Sequence, residues 1–347
     1  MRKPLRGSSH RTARLAALLV TLVLSLVLTA CGGGSSVKAA AAKKPDSQPI
    51  EGGTTLAALW PLTGEPVTGR TPNRPVLVTK IDNSTSSRPQ VGLSKADLIT
   101  EELVEGGITR LAVFYYKHLP EVAGPVRSMR ASDIGIVQPA HGVLVASGAA
   151  PPTLARLRYQ KITFFEGTGP GYYRDSSRIS PHNLMVRMPP LAATLRKKAI
   201  VPASYLPWSK SRTLAGGTPA TGLDAVFSRS STTSWAYAGG KYTNTNSNAA
   251  QGDRFNPATV LVLRVREGDA GYLDPAGHKV PETMYFGKGQ ALVFHAGKVV
   301  RATWSKKNRK TPVKLRTAAG PLDIPAGHTW IELVPIDKDG GRVVVRK

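Results

Sequence analysis

Residues 75–133, PVLVTKIDNSTSSRPQVGLSKADLITEELVEGGITRLAVFYYKHLPEVAGPVRSMRASD, govern how the rest of the chain is read. Apolar residues are interleaved here with Arg, Glu and Asp more tightly than anywhere else. The run 76–81 is rich in β-branched residues and closes on the turn formers Asp82, Asn83 and Ser84, so it reads as a buried strand. Residues 97–104 and 108–116 flank Glu105-Gly106-Gly107, and Gly-Gly between two apolar runs signals a hairpin. Gly124-Pro125-Val126-Arg127-Ser128-Met129-Arg130 then forms a loop stiffened at Pro125. The spacing of Arg127 and Arg130 predicts two guanidinium groups on one side of a first helical turn.

The charges of this stretch balance, so two readings stand side by side. Arg88, Arg110, Arg127 and Arg130 could be internal ion pairs with Glu101, Glu102, Glu105 or Asp133 that hold loops to a sheet. They could instead line an anion pocket, because the guanidinium fork matches phosphate or carboxylate in bidentate geometry. A second candidate lies further on, in Arg174-Asp175 and Arg178-Ile179-Ser180-Pro181-His182-Asn183. There His182 and Asn183 could orient a ligand or exchange a proton, or could simply cap backbone groups of a loop.

The remaining chain predicts a mixed α/β first domain over residues 58–210 and a smaller β-rich second domain over 223–347, joined by a linker at 211–222. A short helix continues over 134–140, a central strand over 143–146, a helix from Pro151 through Tyr159 and another over 191–198. After the linker come short strands at 225–227, 234–242, 260–265, 313–316, 321–324 and 329–334. A hairpin joins 291–294 to 299–304.

At the other end, Arg2, Lys3, Arg6, Arg11 and Arg14 precede an apolar run over 15–28, then Thr29, Ala30 and Cys31. This is the layout of a signal peptide over 1–30. Leu28-Thr29-Ala30-Cys31 matches the bacterial lipobox, which makes Cys31 the expected lipidation site. Cys31 is the only cysteine, so lipidation would leave no thiol for disulfides or catalysis. The Gly-, Ser-, Ala- and Lys-rich residues 31–57 read as a flexible tether.

The formal charge is +25, from 47 Lys+Arg against 22 Asp+Glu. On a lipid-anchored protein outside the cytoplasmic membrane, such a balance points to anionic wall polymers or lipid headgroups and away from nucleic acid. The basic run Ser305-Lys306-Lys307-Asn308-Arg309-Lys310 is either a solvated hairpin tip or a contact with such a polyanion. The seven histidines are scattered without metal-ligand spacing, and neither a GxSxG elbow nor a GxxxxGK loop occurs. No metal and no nucleotide cofactor is therefore assigned.

Several segments closely resemble the YerB-like lipoproteins, a domain-of-unknown-function family. They are Arg74-Pro75-Val76, Ile81-Asp82-Asn83, Arg88-Pro89-Gln90, Gly92-Leu93-Ser94, Ala96-Asp97, Val104-Glu105-Gly106-Gly107-Ile108-Thr109-Arg110 and Gly124-Pro125-Val126-Arg127-Ser128. Arg174-Asp175 and Pro181-His182-Asn183-Leu184 resemble the family's later motif. The resemblance implies a lipid-anchored, two-domain extracytoplasmic protein and brings no reaction with it. Residues 124–130 are also similar to the arginine-bearing strand ends of the LytR-type wall-polymer transferases, whose other motifs have no clear version here. Three functions follow as expectations. The protein binds an anionic envelope ligand through its arginines, or acts as a phosphotransferase-like enzyme on a polyprenyl-phosphate wall precursor, or is a scaffold with no small-molecule ligand.

Overall fold

The structure, a computed structural model, describes residues 58–196, 200–275 and 277–347. The expected leader, Cys31 and the tether lie outside the described residues. The stretch 75–133 supplies three neighbouring strands, β1 (Leu77–Asp82), β2 (Leu98–Leu103) and β3 (Thr109–Tyr115). Every residue of β1 and β3 is buried, because apolar cores lie on both faces of the sheet. Val78, Leu98, Ala112 and Phe114 join one core, while Leu77, Ile81, Ile99, Leu111 and Val113 join the other. Burial on both faces is why these strands read as nearly continuous apolar runs rather than alternating ones.

β3 pairs antiparallel with both β1 and β2. β4 (Val122–Ala123) leads to helix α1 (Asp133–Val137), and β5 (Val143–Ala146) then pairs parallel with β1. Helix α2 (Pro151–Tyr159) carries the chain to β6 (Phe164–Glu166), which pairs parallel with β5. β7 (Tyr172–Arg174) and β8 (Leu184–Arg187) make a small separate sheet with β4. Helix α3 (Met188–Ala193) begins earlier than the expected 191–198, since Pro189 and Pro190 fit a first turn, where an unbonded N–H is the rule.

The main sheet has 12 strands and runs through both halves of the chain. From one edge its order is Gly320–Pro321, Lys314–Thr317, Lys298–Lys306, Gly287–His295, Thr259–Val265, Thr329–Pro335, then β2, β3, β1, β5 and β6; Thr218–Pro219 pairs with Lys298–Lys306 off this path. Thr329–Pro335 lies parallel to β2 on one side and to Thr259–Val265 on the other. A second, four-stranded sheet, made of Lys241–Asn244, Thr232–Ala238, Gly222–Val226 and Arg342–Arg346, packs Leu223, Ala225 and Trp235 into the second core. The mixed sheet with few helices and the β-rich C-terminal half agree with the fold class read from the sequence.

Three local expectations change. The expected strand 234–242 is a hairpin, because Gly239 and Gly240 take φ of 56° and 81° and turn the chain. Arg127 and Arg130 do not share a helical turn. Residues 127–130 form neither helix nor strand, and the N–H groups here serve neighbouring segments: Val126 to the Leu184 carbonyl (2.6 Å), Arg127 to that of Lys80 (2.9 Å) and Met129 to that of Gly148 (3.0 Å). Within the expected linker 211–222, Thr218–Pro219 forms a strand against Lys298–Lys306, and just before it Trp208–Ser209 pairs with Ile324–Pro325. Among the described residues no helix is long and apolar enough to cross a membrane.

Where the two halves meet, Glu101 of β2 and Glu332 are cross-strand neighbours, both fully buried. Asn83 Nδ2 and the Thr233 hydroxyl each donate to Glu101 Oε1 at 2.9 Å, and Trp235 Nε1 donates to Glu332 Oε1 at 2.7 Å. Burial pushes both carboxyls up, and the Glu101 charge lifts Glu332 further, well above the ordinary range. Of the pair, Glu332 is the one that burial and its neighbour's charge push hardest toward the neutral form.

Candidate functional site

β1 ends at Asp82, whose cross-strand neighbour is Arg110 at the start of β3. The loops that follow these strand ends build a charged cluster, and Asp82 is its hinge. The Asp82 carboxylate accepts from the Ser84 backbone N–H at 2.9 Å and contacts His182 Nδ1 at 2.6 Å and Arg127 Nε at 3.2 Å. Burial works against this charge, but the Ser84 and His182 hydrogen bonds and the Arg127 guanidinium outweigh it and hold the carboxyl below its ordinary range. The contact orients the imidazole through Nδ1, and Nε2 makes no hydrogen bond among the described residues.

A single carboxylate, Glu105, serves two of the other arginines. Arg130 grips it with Nε (2.8 Å) and Nη2, and Arg110 Nη2 lies 3.5 Å away. Both guanidiniums are nearly sealed, Arg110 at 1% and Arg130 at 9% exposure. Burial together with the nearby Arg130 charge lowers the Arg110 pKa to about 10. Burial opposes the Glu105 charge, yet the Arg130 hydrogen bond and the two guanidiniums bring its carboxyl down to about 2. Behind them lies a fully buried triad in which Lys80 Nζ is 2.7 Å from both Glu102 Oε1 and Asp133 Oδ1. Burial, together with repulsion from Asp133, raises the Glu102 pKa despite the Lys80 charge.

Arg88 and Arg127 are less enclosed. Arg88 is exposed; its Nε donates to Asn248 Oδ1 at 2.6 Å, and its terminal nitrogens make no hydrogen bond among the described residues. The Arg127 side chain is 24% exposed and reaches the Pro181 carbonyl at 3.4 Å. Asn183 is buried and accepts from Arg174 at 2.6 Å, so it positions that arginine. Arg178 pairs with Asp175 at 3.0 Å and donates to the Pro89 carbonyl at 2.8 Å. Arg88, Arg178 and His182 line a cleft of about 550 Å³ with Ser86, Asp175 and Ser180.

Sequence reasoning named the arginines and His182 but missed what organises them. Asp82 and Glu105 are the two carboxylates that fix three of the arginines and His182. Asn83, Gln90 and Asn248 form an amide web behind Arg88, with Gln90 Nε2 donating to the Asp82 carbonyl (2.7 Å) and Asn83 Oδ1 (2.9 Å). Asp82, Asn83 and Gln90 stand in the segments that carry the family resemblance, which was their available signal. Asn248, in a polar turn far along the chain, had none. The cis peptide bonds Arg88-Pro89, Gly124-Pro125 and Ser180-Pro181 all fall on these loops. Gly124 is required here: at φ 153° a Cβ would stand 2.8 Å from Met185 Sδ.

Two family models match the chain: "Protein of unknown function (DUF3048) N-terminal domain" over residues 62–201, and the C-terminal domain of the same family over 223–331. YerB of Bacillus subtilis (strain 168), named as a candidate lipoprotein, is 28% identical over 294 residues, covering 79% of this chain and 86% of its own. The crystal structure of the Bacillus subtilis YerB protein matches with a TM-score of 0.68 at 20% identity, over 83% of this chain and 99% of that one, a likeness of fold.

Proposed function

Because the chain belongs to the YerB-like family of two-domain proteins, we propose that it is a lipid-anchored protein of the cell envelope that binds an anionic ligand beside Asp82. The anchor would be Cys31, and the folded part would face the outside of the cytoplasmic membrane. The relative named as a candidate lipoprotein and the Leu28-Thr29-Ala30-Cys31 segment support this placement. The observation that carries the binding reading is a local surplus of cation. Arg88, Arg110, Arg127, Arg130, Arg174 and Arg178 converge on the strand ends against Asp82, Glu105 and Asp175. In this reading Arg88, Arg127 and His182 touch the ligand. Arg110 and Arg130, held by Glu105, supply positive potential, and Asn183 orients Arg174.

Titration with inorganic phosphate tests it. Arg127→Ala should weaken binding by ~1.5–3 kcal/mol, the range for hydrogen bonds to charged groups, while the fold survives because the side chain is partly solvated. Arg127→Lys keeps the charge, loses the fork and should fall between. Unchanged affinity in both variants would remove the ligand and leave a scaffold that presents surfaces to partners. The Asp82–His182 hydrogen bond favours a second reading, with His182 as general base in a phosphoryl transfer on a polyprenyl-phosphate wall precursor. Turnover lost in His182→Ala with binding retained would mark that case.

A further inference from the structure

Beside the charged cleft lies a second cavity of about 160 Å³ with a different chemistry. Its wall is made of amides and hydroxyls, from Asn83, Thr85, Thr109, residues 230–233, Asn244, Asn246 and Asn248, with Arg88 as the one charged group. Neither a carboxylate nor an aromatic ring lines it. Arg88 belongs to both cavities, and its terminal nitrogens have no partner among the described residues while Asn248 fixes its Nε. Asn248 in turn donates to the Asn83 carbonyl at 2.9 Å, so the guanidinium between the two cavities is held from behind.

Several groups of the wall are spoken for. Asn83 donates to Glu101 and Thr109, Ser230 to the Gly107 carbonyl, and Asn246 to the Thr232 carbonyl. Others are open: the hydroxyls of Thr85, Ser231 and Thr232 and the Asn244 Nδ2 have no hydrogen-bond partner among the described residues. A pocket of neutral donors and acceptors without apolar floor suits a molecule that is itself mostly hydroxyl, since an alkyl group would strip water from these groups and return no hydrogen bond. Its volume equals about five waters, room for a short polyol.

We propose that the ligand is a phosphorylated polyol, its phosphate in the charged cleft at Arg88, Arg178 and His182 and its hydroxyls in the neutral pocket. The proposal rests on the anion-binding reading of the cleft and adds the class of molecule attached to the anion. Calorimetric titration of the protein with inorganic phosphate, glycerol 3-phosphate, propyl phosphate and glycerol separates the two. Glycerol 3-phosphate should bind at least tenfold tighter than phosphate or propyl phosphate, and glycerol alone should show no saturation. Ser231→Ala with Thr232→Val should bring glycerol 3-phosphate down to the affinity of phosphate and leave phosphate itself unchanged. Propyl phosphate binding as well as glycerol 3-phosphate would overturn the polyol assignment, as would phosphate and glycerol 3-phosphate falling together in that variant. No binding of phosphate would instead overturn the anion-binding reading beneath it.

Discussion

Lys80→Met is the sharpest test of how the charged interior is held. Lys80, Glu102 and Asp133 are all fully buried, with both ion-pair distances at 2.7 Å. Methionine nearly matches the lysine stem in volume, so the change leaves two carboxylates facing each other and creates little cavity. Removing one partner of a buried pair costs ~3–5 kcal/mol, because the remaining charge is unsolvated and uncompensated. For the compact unit Thr55–Lys347 the unfolding entropy is about 0.6 kcal/mol/K, so Tm should fall by about 5–8 °C. The deficit should also depend on pH. Burial already raises the Glu102 pKa, and losing Lys80 raises it further above the unfolded value. A raised folded pKa gives stability that is present at acid pH and lost as pH climbs, so the gap from wild type should widen from acid to neutral. Glu102→Leu added to Lys80→Met removes one stranded charge and should recover part of the loss. Denaturant melts across pH provide the measurement. A loss below ~1 kcal/mol, the range of exposed pairs, or one that ignores pH would mean the triad is hydrated and the reasoning wrong.

The seam between the halves should also titrate. Glu332 has its pKa raised well above the ordinary value by burial and by Glu101, so its contribution is lost as pH rises through that raised value. Glu332→Gln, which keeps the Trp235 hydrogen bond, should flatten the alkaline side of the stability profile; an unchanged slope in denaturant midpoints would count against the pair. Cys31→Ala should abolish metabolic palmitate labelling and detergent-phase partitioning, and equal labelling of the variant would exclude the anchor.

The parts of the fold legible in the sequence are those written locally. β1 to β3 sit between two cores and so carry apolar runs, and the hairpin of Gly287–His295 with Lys298–Lys306 announces itself through the turn at Ala296-Gly297. The Gly239-Gly240 turn had the same kind of signal and was overrun by the β-rich residues on either side. The parallel pairing of Thr329–Pro335 with β2 joins segments more than 200 residues apart, and no local period encodes it. The site divides in the same way. Arginines in a balanced stretch are visible, but which carboxylate each one meets depends on the register of β1 against β3 and on the loop of His182 folding back onto Asp82. The i, i+3 reading of Arg127 and Arg130 failed because backbone donors near them were claimed by Lys80 and Gly148 from elsewhere in the chain.

Thr329–Pro335 occupies an interior place in the 12-stranded sheet although it comes almost last in the chain. Until it is delivered, β2 and Thr259–Val265 each keep one bare edge, a row of unpaired N–H and C=O groups open to other chains. The two segments matched by separate family models therefore cannot mature one after the other, as independent modules usually do during synthesis. A protein crossing the membrane N-terminus first would wait, with its central sheet split, for the final stretch to emerge and close it. Long-range closure of this kind is slow, since loop entropy must be overcome before the contacts form. On the proposed envelope placement, guarding the unfinished chain against aggregation would be a demand that the topology places on its export.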